Sequence, residues 1–114
     1  MTITRYLLPH SALPADAASA VLIGRIQRPG AGHVLVQVKP DGVYDLSRLA
    51  PTCSALLDLP DPAAAVRGHQ GERIAATDEV LRNSACTARV EDSPWLVAPC
   101  DLQAIKAAGV TFVA

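Results

Sequence analysis

Aromatic side chains are scarce: Tyr6, Tyr44, Trp95 and Phe112 make up 4% of the 114 residues. A core built from this chain must come from Val, Leu, Ile and Ala, with those four rings as its few large fillers. An excess of charge of one sign is also lacking. Ten Lys and Arg face eleven Asp and Glu, a net charge of -1 with no long run of either sign. That leaves no basic footprint for nucleic acid and no polybasic patch for a membrane surface. The longest apolar runs, such as Val21-Leu22-Ile23 and Trp95-Leu96-Val97-Ala98, fall far short of the roughly 18 residues that a membrane-spanning helix requires. The opening Met1-Thr2-Ile3-Thr4-Arg5-Tyr6 has no apolar stretch ending in a small-residue cleavage site, so it does not read as a secretory leader and a cytoplasmic location is expected. Cys53, Cys86 and Cys100 are odd in number and form no C-x-x-C pair, which fits neither a disulfide framework nor a zinc site. Reduced, mostly buried thiols are expected.

What is present suits one domain. Half the residues are hydrophobic and 18% are charged, a composition that argues against disorder along the chain. Residues 1–20 read as an opening strand or arm followed by a loop. Val21 to Gln27 is strand-like, and Arg28-Pro29-Gly30-Ala31-Gly32 is rich in turn formers. His33 to Lys39 then alternates, with Val34, Val36 and Val38 on one face, which predicts a hairpin with one buried side. Pro40-Asp41-Gly42 supplies a second turn, and Val43-Tyr44-Asp45-Leu46 a third strand.

Helical signals follow. Thr52 caps a short helix through Leu57. Asp61-Pro62-Ala63-Ala64-Ala65-Val66-Arg67-Gly68 has a capping carboxylate, Pro at the first helical position, a late cation and a terminal Gly. Thr77 is expected to cap a helix from Asp78 to Ser84, with Asp78 and Glu79 facing the positive end of its dipole. Trp95 to Ala98 reads as a buried strand, and Asp101 as the cap of a helix from Leu102 to Ala108 ending at Gly109. The fold class is therefore α+β: a small domain with a three-stranded antiparallel meander, additional short strands and three to four short helices.

Catalytic chemistry needs a cluster of functional groups. His10, His33 and His69 are isolated, with no H-x-x-x-H or H-E-x-x-H spacing, and are expected as surface or loop histidines. The helix start at Asp101 would favour a Cys100 thiolate, but the aspartate's own charge opposes it. Ser54 lacks a G-x-S-x-G elbow and reads as a helix-start hydroxyl. Gly30-Ala31-Gly32 leads into a strand, so it is a hairpin turn and not a phosphate loop. The pairs Asp78-Glu79 and Glu91-Asp92 supply too few convergent oxygens for a hard cation. No catalytic, cofactor-binding or metal residue is assigned from the residues alone.

The run Pro99-Cys100-Asp101-Leu102-Gln103-Ala104-Ile105-Lys106-Ala107-Ala108-Gly109-Val110-Thr111-Phe112 resembles the segment that leads into the catalytic domain of the fumarylacetoacetate hydrolase family, where a Q-x-x-x-A-A-G-V-T-[FY] pattern is common. Gly24-Arg25-Ile26, Asp41-Gly42-Val43-Tyr44-Asp45-Leu46-Ser47 and Pro94-Trp95-Leu96-Val97-Ala98-Pro99 also resemble that family's small N-terminal domain. The stretch Cys100 to Lys106 looks closest to members that handle 2-keto-3-deoxy sugar acids. The resemblance implies residues 1–106 as the N-terminal domain and residues 107–114 as the start of a connection, carried by Ala107, Ala108, Gly109, Val110, Thr111 and Phe112. It implies a C-terminal catalytic domain as partner, a homo-oligomeric parent, and Mg²⁺ or Mn²⁺ held there by an E-x-E motif and a later Asp. The metal would hold a 2-oxo acid and stabilise an enolate during hydrolysis of acylpyruvate-type substrates, dehydration of deoxy sugar acids or decarboxylation. A Glu, or His and Glu, on a lid beginning just after the A-G-V-T pattern would complete that site. No E-x-E occurs in residues 1–114, so neither the metal ligands nor the lid residues carry over.

Val110 to Ala114 begins a β-branched apolar element after a helix stop, which leads us to expect a second domain beyond it. An apolar patch around Phe112 and Val113 and weak self-association are expected with it. The rival expectation is a free-standing interaction module that pairs through that exposed strand by β-augmentation.

Overall fold

The turn Arg28-Pro29-Gly30-Ala31 sets the register of the first hairpin. The Ala31 N–H donates to the Arg28 carbonyl at 3.0 Å, and Gly30 takes φ 79° after a proline, as a type II turn requires. A computed structural model describes residues 8–86, 89–102, 106, 108 and 109. In it β1 (Leu22–Arg28) and β2 (Gly32–Lys39) pair antiparallel, from Leu22 opposite Val38 to Arg28 opposite Gly32. Pro40 and Asp41 then turn the chain into β3 (Gly42–Asp45), completing the expected meander. Two three-residue strands flank it. β4 (Arg73–Ala75) pairs with β3, β5 (Trp95–Val97) pairs with β1, and the order is β4-β3-β2-β1-β5 with every pairing antiparallel.

The hairpin is not one-sided. Val34, Leu35, Val36 and Gln37 are all buried, because helices cover both faces of the sheet. On one face Ile26, Val34, Val36 and Val43 pack with Val80 of α4 (Thr77–Ala85). On the other, Leu35 joins Leu46, Ala50, Cys53, Leu56 and Val66, residues of the β3–α2 connection, α2 (Cys53–Leu57) and α3 (Pro62–Gly68). A central strand with both faces covered buries successive residues, so alternation along it marks two different clusters.

Local capping explains two of the helices as expected. The Thr52 hydroxyl accepts from the Ala55 N–H at 3.0 Å, and the Asp61 carboxylate accepts from the Ala64 N–H at 3.2 Å. Thr77 departs from expectation. Its hydroxyl donates to the Lys39 carbonyl at 2.5 Å, while Ala76 occupies the cap position without a side-chain bond. The cause is tertiary: Thr77 is buried against the end of β2, where the Lys39 carbonyl lies within reach of its hydroxyl.

Pro9–Ala12 is a single helical turn, α1, where an arm was expected. Proline suits a first helical position, and the Leu8 carbonyl accepts from the Ser11 and Ala12 N–H groups. The rest of the expected opening strand, through Leu7, lies outside the described residues. Most of the helix expected over Leu102 to Ala108 also lies outside them, and Asp101 and Leu102 form a bend. Among the described residues, no helix is long and apolar enough to cross a membrane.

Gly71 permits the close approach of the segment before β4 to β3. A Cβ there would fall on the Asp45 carbonyl, next to the bond that the Asp45 N–H donates to Glu72 at 2.8 Å. Gly71→Ala is expected to cost about 1–3 kcal/mol through backbone displacement. Gly68→Ala, whose Cβ would meet nothing within 4 Å, is expected to be neutral or stabilising by up to about 1 kcal/mol. Urea unfolding of the two variants checks this, and equal destabilisation would contradict it.

Candidate functional site

The most elaborate polar arrangement forms where the chain leaves β5. Asp101 projects its carboxylate at the start of α2. Its Oδ2 accepts from the Cys53 N–H at 2.6 Å, and its Oδ1 from the Ser54 N–H at 3.2 Å, the Ser54 hydroxyl at 2.8 Å and the Leu102 N–H at 2.7 Å. Cys53 and Ser54 open α2, where N–H groups have no partner within the helix. Thr52 serves Ala55 while Asp101 serves the two residues before it, so two side chains divide the helix start between them.

Arg25 closes the site from β1. Its Nη1 donates to the carbonyls of Ala98 at 3.0 Å and Cys100 at 3.2 Å, and its Nε lies 3.8 Å from Asp101 Oδ2. The side chains of Arg25 and Asp101 are only 17% and 8% exposed. At 3.8 Å the ion pair is the weaker component. The short bonds to an ionised acceptor dominate. Arg25 Nη2 also sits 3.1 Å from His33 Nδ1. A guanidinium has no acceptor, so His33 accepts through an unprotonated Nδ1.

Desolvation alone would raise the Asp101 pKa. The bonds from the Leu102 and Cys53 N–H groups, the Ser54 hydroxyl and the Ser54 N–H outweigh it, and the pKa falls from 3.8 to about 2. Chemically, such a carboxylate is a fixed anion whose oxygens are already committed to donors. It clasps three segments together and is poorly suited to proton transfer at neutral pH.

The other residues considered from the sequence are dispersed. His10 lies in α1, His33 beside Arg25, and His69 at the end of α3. Cys53 is buried, but Cys86 is exposed and Cys100 intermediate. The expectation of mostly buried thiols therefore holds only for the one inside a core cluster. Ser54 does sit at a helix start, with its hydroxyl turned to Asp101. Asp78 pairs with Arg82 one turn along α4 at 2.6 Å, and Glu91 and Asp92 are exposed in a turn. Among the described residues, no three His, Cys, Asp or Glu side chains are grouped to hold a metal ion. Of the expected connection, Ala108 and Gly109 are exposed, and Ala107, Val110, Thr111 and Phe112 lie outside the described residues, as does Val113.

Sequence reasoning missed Arg25 as a partner and missed the bonds that Asp101 accepts from the start of α2. A charged residue between Ile23 and Ile26 in a strand was the available signal for Arg25. The chain was compared with protein-family models, with curated proteins and with solved structures, and none of them matches it.

Asp101 supplies stability that is complete above pH 3.8 and is lost as pH falls through about 2. Asp101→Asn is expected to lower stability at neutral pH and to flatten the stability curve across that acid window. Denaturant unfolding at a series of pH values checks it. An undiminished acid slope in the variant would contradict the clasp.

Proposed function

We propose that these residues form the catalytically silent N-terminal domain of a fumarylacetoacetate hydrolase family enzyme. The parent would be a cytoplasmic, homo-oligomeric, divalent-metal-dependent hydrolase or lyase acting on 2-oxo acids. One observation carries the reading. Three separate stretches that bear the family resemblance, Gly24-Arg25-Ile26, Pro94 to Pro99 and the run from Cys100, meet at the Arg25–Asp101 clasp. A domain that hands the chain on to a catalytic partner needs its exit segment fixed, and the clasp fixes Asp101 to both β1 and α2. The role is support. The clasp orients the segment from which a connection through Ala107 to Phe112 would lead into the catalytic domain.

The E-x-E motif required for the family's cation is missing from this sequence. The family's ligand set for Mg²⁺ or Mn²⁺ thus does not carry over to these residues, and none of them is assigned a catalytic step. The chemistry of 2-oxo acid activation belongs to residues beyond Ala114 in this proposal.

Calorimetric titration of the 114-residue chain with Mn²⁺ is expected to give no saturable heat. The reading frame after the codon for Ala114 is expected to continue and to encode an E-x-E motif. A stop codon there, a tight 1:1 metal site within these residues, or unaided turnover of an acylpyruvate would overturn the proposal.

A further inference from the structure

A polar side chain on a covered sheet face is costly unless something satisfies it. Gln37 is such a group. It lies in β2 with Ile23 and Tyr44 opposite it on the two neighbouring strands, and is only 7% exposed. Among the described residues no hydrogen bond reaches its side-chain amide, and no fully sealed side-chain nitrogen or oxygen lacks a partner. The amide is therefore open to solvent, and Gln37 lines a groove of about 440 Å³ walled by the segment Ala17 to Val21 and by Lys39, Asp41 and Arg67. That volume is in the range of small-molecule sites.

The charges around the groove are placed and unequal. Lys39 Nζ sits 4.9 Å above the Tyr44 ring, and Arg67 is exposed in the last turn of α3. Among the described residues neither cation forms an ion pair. The single acid, Asp41, already accepts from the Tyr44 hydroxyl at 2.9 Å, which raises the pKa of that phenol. Two cations against one acid leave a net charge of +1 on the lining, which suits a monoanion. A phosphate dianion would be set against Asp41. The Gln37 amide is neutral and both donates and accepts, so its natural complement is a hydroxyl.

We propose that this groove binds a small hydroxycarboxylate, with the carboxylate between Lys39 and Arg67 and the hydroxyl on Gln37. Such binding would stand apart from any chemistry in a following catalytic domain, so it survives or fails independently of the family reading. Lactate is a suitable probe and acetate, which lacks the hydroxyl, its comparator. In ¹H–¹⁵N spectra of the 114-residue chain at constant ionic strength, lactate is expected to move the Gln37 side-chain NH₂ pair saturably. Its affinity is expected to exceed that of acetate about fivefold, the worth of one hydrogen bond. Gln37→Leu keeps the volume and is expected to abolish the preference for lactate. Arg67→Ala changes an exposed position and is expected to weaken lactate binding about fivefold or more. Shifts that grow without saturating, equal affinity for lactate and acetate, or unaltered lactate affinity in Arg67→Ala or in a folded Gln37→Leu would overturn it.

Discussion

One carboxylate ties the segment after β5 to α2 and to β1. Asp101 takes up N–H groups at the start of α2 that no residue of that helix can satisfy, and Arg25 holds the carbonyls just before it. Remove the carboxylate and three consequences follow from the same loss. α2 loses the acceptor of its Cys53 and Ser54 N–H groups, Arg25 loses its carboxylate neighbour while its carbonyl and imidazole contacts stay, and the segment after β5 loses its attachment to the start of α2. The donors outweigh desolvation at this site, so the carboxylate remains ionised far into acid.

The clasp works because the sheet beneath it is covered on both sides. Ile26, Val36, Val43 and Val80 seal one face, and Leu35, Leu46, Leu56 and Val66 the other. With so few aromatic rings, the core gains area by dividing small aliphatic side chains between two clusters. Short edge strands, β4 and β5, close the sheet with three residues each, which leaves little unpaired backbone at either rim. Arg25 sits on the α2 side of β1, beside Leu35, and that placement lets a strand residue reach the helix start.

Features with a local cause could be read from the sequence. The Pro29-Gly30 turn, the Asp61-Pro62 helix start and the Thr52 cap each depend on residues within four positions of one another, and each occurs where local chemistry puts it. Features with a distant cause could not. Asp101 looks like the cap of the next helix, yet its carboxylate meets an N–H group 48 residues earlier. Thr77 looks like a cap, yet a carbonyl 38 residues away claims its hydroxyl. β4 has only Arg73, Ile74 and Ala75, too short for alternation to register, and it exists because Gly71 lets the chain lie against β3. Gln37 sits in a valine-rich strand where pattern alone cannot distinguish a solvated glutamine from a buried one.

The support role rests on the clasp being formed and persistent in solution. Native-state hydrogen exchange at the Cys53, Ser54 and Leu102 amides measures this directly, since each donates to Asp101. Protection at Cys53 and Ser54 comparable to that of the Val34 to Val36 amides of β2, with slowed exchange at Leu102, is the expected result. Exchange of all three at the rate of an unstructured peptide would contradict it.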